Sequence, residues 1–267
     1  MAESKQVANS KTNAMAMYEG FENYGGEGFS EVTTEDLAIP FLRILESMSP
    51  QVNERDGAYV KNAKAGMIYN NVLNEAYDGI KGIRVIPCHY NRRFVEWVPR
   101  EKGGGYIGSY EPTDPILQTT TKNEKGQDVL PSGNTLTNTA QFFVLFLHPE
   151  MGSHRALIPM SSTQLKKARK LLTQAQSMTA MGKNGPYILP LMSQIYTLST
   201  VPEQNDKGSW FGWQIERSSQ LDLQSEDQKA LFDSAYAFAK SVKSGEVQIK
   251  EEAPSEVNQM PQDKGIM

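Results

Sequence analysis

The sequence has one cysteine, Cys88, in 267 residues. That excludes an intrachain disulfide framework and an all-cysteine zinc cluster, and a reducing compartment is its natural setting. Histidine is almost as scarce: His89, His148 and His154. His148 and His154 flank one predicted turn, but with Cys88 they still fall short of the four ligands a closed metal site needs. Cys88 and His89 are adjacent on a predicted strand and point to opposite sides, so they form no dyad. Long apolar runs are also missing. The longest, Phe142-Phe143-Val144-Leu145-Phe146-Leu147, has six residues, against about 20 for a membrane-spanning helix. No apolar stretch near the N-terminus reads as a secretory signal.

Enzyme signatures are missing as well. The sequence contains no G-x-x-x-x-G-K-[ST] loop, no G-x-G-x-x-G set between a strand and a helix, no G-x-S-x-G elbow and no H-E-x-x-H pair. Gly103-Gly104-Gly105 lacks the strand-turn-helix context that cradles phosphate. Asp114, Glu124 and Asp128 share no strand and read as solvated surface rather than as a two-metal nuclease site. The expectation is a non-enzymatic protein with no cofactor and no metal.

What is present is an uneven charge. The chain carries −4 overall. Residues 1–36 hold two lysines against seven acids, and residues 244–267 hold two lysines against five. The body between them, 37–243, is therefore at +4. A mildly basic body between acidic arms fits a polyanion-binding surface for which the arms compete. Acidic arms that serve only solubility fit equally.

The arms also differ in pattern. Residues 1–36 show no periodicity and read as a flexible N-terminal arm, with Phe21, Tyr24 and Phe29 as docking side chains. Residues 244–267 read as a disordered acidic tail. Between them, Gly82–Tyr90 reads as a strand that Asn91–Pro99 continues or pairs with. Residues 100–138 are a polar insert, long enough to be functional or disordered. Ala140–Leu147 and Arg155–Met160 form a hairpin, as do Ile195–Val201 and Trp210–Glu216. Two helices carry S-x-x-Q capping boxes, Ser161/Gln164 and Ser225/Gln228. Leu165, Ala168, Leu172 and Ala175 make the apolar face of the first; Leu231, Ala235, Phe238, Ala239 and Val242 make that of the second. The predicted fold is α+β: one domain with a twisted antiparallel sheet or OB-like barrel and two or three helices.

Cations and aromatics interleave in two segments. One runs Tyr90, Arg92, Arg93, Trp97, Arg100 and Tyr106; the other is Lys207, Trp210 and Trp213. A third group, Lys166, Lys167, Arg169 and Lys170, lies on the first helix. Single-strand binders need these residue types, because phosphates take Lys or Arg and unstacked bases take a flat π-face. The competing reading is structural. Trp97 and Trp210 fit as core plugs, Phe94 fits as core, and the helical charges fit as a solvated face. Trp210 and Trp213, three apart, face opposite sides of a regular strand, as do Arg92 and Arg93.

Four strings resemble, as a set, a family of tailed-bacteriophage proteins associated with replication and recombination, some of which look like phage single-stranded DNA-binding proteins. They are Asp36–Leu45 with Met48–Gln51, Arg92–Trp97, Ser162–Lys167 and Asn205–Trp213. The resemblance covers roughly residues 36–217. It implies an OB-like core that coats exposed strands in the host cytoplasm, with single-stranded DNA, phage replication proteins and further copies of the chain as partners, and no membrane. Such proteins often recruit polymerase or helicase through a dense acidic tail. Here Glu246, Glu251, Glu252, Glu256 and Asp263 are spread out and the chain ends Lys264-Gly265-Ile266-Met267, which departs from that pattern. The alternatives are a phage structural or scaffolding protein that binds no nucleic acid, and a nuclease with an unrecognised site.

Overall fold

A computed structural model describes residues 20–33, 36–206, 208–247 and 249, with the side chains of Glu22 and Arg100 left aside. The chain divides into two units, residues 1–37 and 38–267. In the first, Phe21–Tyr24 make a 3-10 turn. The Asp36 carboxylate accepts the N–H and the hydroxyl of Thr33 at 2.9 and 2.7 Å.

The second unit is built on two long strands. The chain first lays down β1 (Leu42–Ile44), β2 (Ile68–Asn70) and β3 (Glu75–Tyr77), then β4 (Ile83–Trp97). The 100–138 insert holds β5 (Tyr106–Tyr110), β6 (Thr121–Lys122) and β7 (Asp128–Val129). Next come β8 (Thr135–His148) and β9 (Gly152–Ser161). β4 and β8 pair antiparallel almost end to end. Pro87 has no N–H to give, and a central strand tolerates it because the register shifts there: Pro87 faces Val144 and His89 faces Phe143, with Cys88 extra. Asn91–Trp97 thus continue the strand rather than pair with it.

β8 is buried continuously from Thr139 to Phe146 because both faces of the sheet are covered. One layer gathers Val85, Phe142, Val144, Ile158, Tyr196, Leu198 and Trp213. The other gathers Ile86, Cys88, Phe143, Leu145 and Leu157. Helix α1 (Leu165–Gln176) closes the first layer with Ala168 and Leu171. After it come a short ribbon, β10 (Thr179–Gly182) and β11 (Gly185–Ile188), and the hairpin β12 (Gln194–Asn205) and β13 (Gly208–Gln220). Helix α2 (Glu226–Lys243) closes the second layer with Ala235, Phe238, Ala239 and Val242. Glu226 and Asp227 in its first turn and Lys240 and Lys243 in its last complement the helix dipole.

The strand order is β13-β12-β4-β8-β7-β6, with β9 also on β8 and β5 also on β4. The fold is α+β, and the strongly curled sheet makes a half-barrel consistent with an OB-like fold. The segment around β1 contacts both β9 and β13. Leu157 N–H reaches Pro40 O at 2.7 Å on the β9 flank, and Phe211 N–H reaches Glu46 on the β13 flank.

Neither capping box forms. Ser161 and Ser225 make no side-chain cap bond. Gln164 instead accepts the Trp213 N–H at 3.0 Å, and Gln228 accepts that of Asp222 at 2.8 Å. For Gln164 the reason is burial: the Trp213 N–H is a buried strand-edge donor without water, the costlier one to leave unpaired. Past α2, Val247 and Ile249 lie half-buried against the α2 layer, so the stretch read as tail starts out packed. Residues 251–267 lie outside the described residues.

Candidate nucleic-acid interface

The far half of β4 sorts the candidates onto two faces. Tyr90, Arg92, Phe94 and Glu96 share one, and Arg93, Val95 and Trp97 share the other. On the first, Tyr90 is half-buried against Phe142, ring centroids 5.2 Å apart, at the rim of the inner core. Arg92 is exposed. Its Nε donates to Asn138 Oδ1 at 3.0 Å and its guanidinium lies 5.4 Å over the Phe94 ring. Glu96, buried beyond it, accepts from Asn134 Nδ2 at 2.6 Å and from the Tyr110 hydroxyl. That hydrogen bond is the main reason the Tyr110 hydroxyl is pushed up to about 12.

On the second face, Trp97 pairs with Tyr106 across the β4–β5 ladder. The rings meet edge to face at 5.7 Å, both half-buried. Arg93 makes an ion pair with Glu111 at 3.2 Å. The arginines and α1 are neighbours through register. Arg92, Ala140 and Met160 form one cross-strand row, and Arg93, Thr139 and Ser161 form the next. Ser161 leads straight into the turn before α1. Two strand spacings, about 10 Å, separate the ends of such a row. Trp97 lies four residues beyond Arg93, about 13 Å along the strand.

On α1, Lys166, Arg169 and Lys170 are exposed. Lys167 is different: its Nζ pairs with Glu203 Oε1 at 2.5 Å and is largely covered. The other Glu203 oxygen accepts the Trp210 indole N–H at 2.9 Å. Burial raises the Glu203 carboxyl, but Lys167 and Trp210 together outweigh it and hold the group below the ordinary carboxylate range. The cluster lies over Gly212, where a Cβ would come within 2.5 Å of both Lys167 Nζ and Glu203 Oε2. Lys167 and Trp210 therefore fasten α1 to the β12–β13 hairpin.

Trp213 is 3% exposed and belongs to the inner core. It offers no face to a base and leaves the set of stacking candidates; its odd position on β13 turns it inward with Ile215. The side chain of Arg100 and all of Lys207 lie outside the described residues. The accessible remainder is Arg92, Arg93, Trp97, Tyr106, Lys166, Arg169 and Lys170, with Tyr90 at the rim. Sequence reading missed Glu203, whose signal was its place directly opposite Trp210 in the hairpin.

The histidines do structural work. His148 Nδ1 accepts the N–H groups of Glu150 and Met151 at 3.1 and 3.0 Å, so Nε2 is the donor, 3.2 Å from Glu75. His154 does approach His148, at 5.8 Å between ring centroids. Cys88 sits in the other core layer, its thiol pushed up to about 12 by burial, so it is no nucleophile at neutral pH. Among the described residues no group of three His, Cys, Asp or Glu is placed to hold a metal, and no helix is long and apolar enough to cross a membrane.

A family model described as Pam3 phage gp34-like protein matches residues 8–248. The chain belongs to this family. The gp34-like match spans the half-barrel and both helices, and it agrees with the phage part of the resemblance. The family description states no activity, so any binding role rests on the surface itself. No curated protein and no solved structure matches the chain.

Proposed function

We propose that this gp34-like protein binds single-stranded DNA without catalysing a reaction, coating exposed strands during phage replication or recombination in the host cytoplasm. One observation carries the reading. At the end of the half-barrel the Trp97–Tyr106 ring pair shares a strand face with Arg93, while Arg92 projects from the opposite face, the one that α1 covers with Lys166, Arg169 and Lys170 exposed. Half-exposed rings take bases, and the flanking cations take phosphates. The Arg93–Glu111 pair does not oppose this. An exposed ion pair is worth about 0–1 kcal/mol and exchanges readily for a phosphate. In this reading the further partners are phage replication proteins and other copies of the chain along the strand.

The test is a salt titration of binding to a fluorescent 30-mer oligo-dT against a matched duplex. Tight single-strand binding that falls linearly in log salt, with a slope of roughly 0.7 per phosphate neutralised, supports the reading. No binding at low salt retires it and makes a structural role in the phage the better account.

A further inference from the structure

The ribbon β10–β11 leaves the C-terminal end of α1 and returns to close on itself, Leu189 N–H donating to Met178 O at 2.9 Å. Eight of its ten residues are exposed. Among them Met181 is 79% exposed, Ile188 56% and Tyr187 50%. The register places Thr179, Met181, Pro186 and Ile188 on one face and Ala180 and Tyr187 on the other. The Tyr187 ring rests over Gly182, where a Cβ would come within 3.2 Å of it, and half the side chain still faces water. A two-stranded ribbon is at best marginally stable in water, and one that turns its apolar side chains outward is built for a contact.

Charge identifies the kind of contact. From Met151 to Pro202 the chain has six Lys or Arg residues and no Asp or Glu. Yet the whole sequence has 31 acids against 27 bases. The acid-free stretch contains α1 and the ribbon, with Lys183 at the ribbon tip between Gly182 and Gly185. Such a surface complements a polyanion, and the exposed tyrosine gives it a π-face for a base.

We propose that the β10–β11 ribbon is a second contact element for single-stranded DNA, extending the path of the strand beyond α1. Lys183 takes a phosphate and Tyr187 stacks on a base, with Met181 and Ile188 on the ribbon's other face. This rests on the single-strand reading above.

The test uses the full-length protein, oligo-dT 30-mer and three variants at exposed positions. Tyr187→Ala is expected to weaken binding about 5- to 100-fold, and Tyr187→Phe to keep it. Lys183→Glu is expected to lower the salt slope by roughly 0.7 or more. Thermal melts confirm that each variant is folded. Wild-type binding with unchanged affinity and slope in the ribbon variants overturns the ribbon proposal and leaves the single-strand reading standing. Ribbon variants that dissociate an oligomer while binding DNA normally make the ribbon a subunit contact, which also overturns it. A wild-type protein that ignores oligo-dT removes the single-strand reading, and the ribbon proposal falls with it.

Discussion

The Glu46 carboxylate accepts the backbone N–H of Phe211 on both oxygens, at 3.0 and 3.1 Å. β13 is the last strand of the curled sheet, so its outward N–H groups have no neighbouring strand. Two of them are covered by side chains instead, Phe211 by Glu46 and Trp213 by Gln164. Edge strands left open are templates for unwanted pairing, and these two contacts close part of the edge while tying the β1 segment and α1 to it.

Glu46 makes this device pH-dependent. Burial raises its carboxyl from 4.5 to about 7, with the Phe211 N–H opposing the shift. The proton is thus held more tightly in the folded state than in the unfolded one. The stabilisation is complete below pH 4.5 and is lost as pH rises towards 7. Glu46→Gln keeps an acceptor and carries no charge. It should therefore be more stable than wild type at pH 8, by about 1 kcal/mol once the water that reaches the carboxyl is allowed for. The gap should close by pH 5. Melting curves across that range decide it, and equal pH profiles for the two proteins would show that Glu46 is not the titrating group.

The tryptophans should separate stability from binding. Trp213→Ala removes a core ring and should cost about 3–5 kcal/mol of stability. Trp97→Ala removes a half-exposed ring, and should leave the melt nearly unchanged while costing about 1–3 kcal/mol in oligo-dT binding. Denaturant unfolding and fluorescence anisotropy on both variants check this. A Trp97 variant with full affinity removes that ring from the interface.

The α1 cations should divide in the same way. Lys166→Glu, Arg169→Glu and Lys170→Glu act on exposed side chains and should each reduce the salt slope by roughly 0.7 for every phosphate no longer neutralised. Lys167→Ala strips a largely covered carboxylate of its cation and leaves Glu203 with Trp210 alone. Its effect should appear as a lower melting temperature, with Glu203→Gln in the same background recovering part of it. If Lys167→Ala changes the salt slope and not the melt, the pair is a binding surface after all.

Much of the frame was legible in the residues. The two hairpins read out from alternating and continuous apolar runs, and the helix faces from spacing, because those signals come from burial itself. Ala168, Ala175, Ala235, Phe238, Ala239 and Val242 are buried as their spacing predicts. What misled were groups with two possible partners. Gln164 and Gln228 sit correctly for capping, but each is claimed by an N–H outside its helix. For Gln164 the competitor is 49 positions away, which local pattern does not reveal. The 100–138 insert, read as loop, pairs as short strands onto β4 and β8, whose far ends need covering. At the candidate site, residue types were visible but commitments were not. Lys167 and Trp210 are bound to Glu203, and no spacing rule links position 167 to 203. In the ribbon, Gly182, Gly185 and Pro186 signal only an end to the first helix and say nothing about what is exposed.

Gly79 gives the most stringent test of the packing between the small sheet and the half-barrel. Asp78-Gly79 looks in the sequence like any tight turn, but its glycine is required by a close approach. A Cβ at Gly79 would sit 1.8 Å from the Gly66 carbonyl oxygen and 2.2 Å from Thr200 Oγ1. Thr200 ties the three together: its hydroxyl donates to Gly66 O at 2.5 Å and its N–H to Gly79 O at 2.8 Å. Gly79→Ala must therefore push the β1–β2 connection off β12, at a cost of about 1–3 kcal/mol or more. Thr200→Val keeps the bulk, loses the hydroxyl bond, and should cost about 1 kcal/mol. Because the nearest obstacle to the new methyl is backbone, trimming Thr200 to Ala should not rescue Gly79→Ala. A double variant as stable as Thr200→Ala alone would show that the carbonyl of Gly66 yields, and that the two sheets are less tightly joined than the hydrogen bonds indicate.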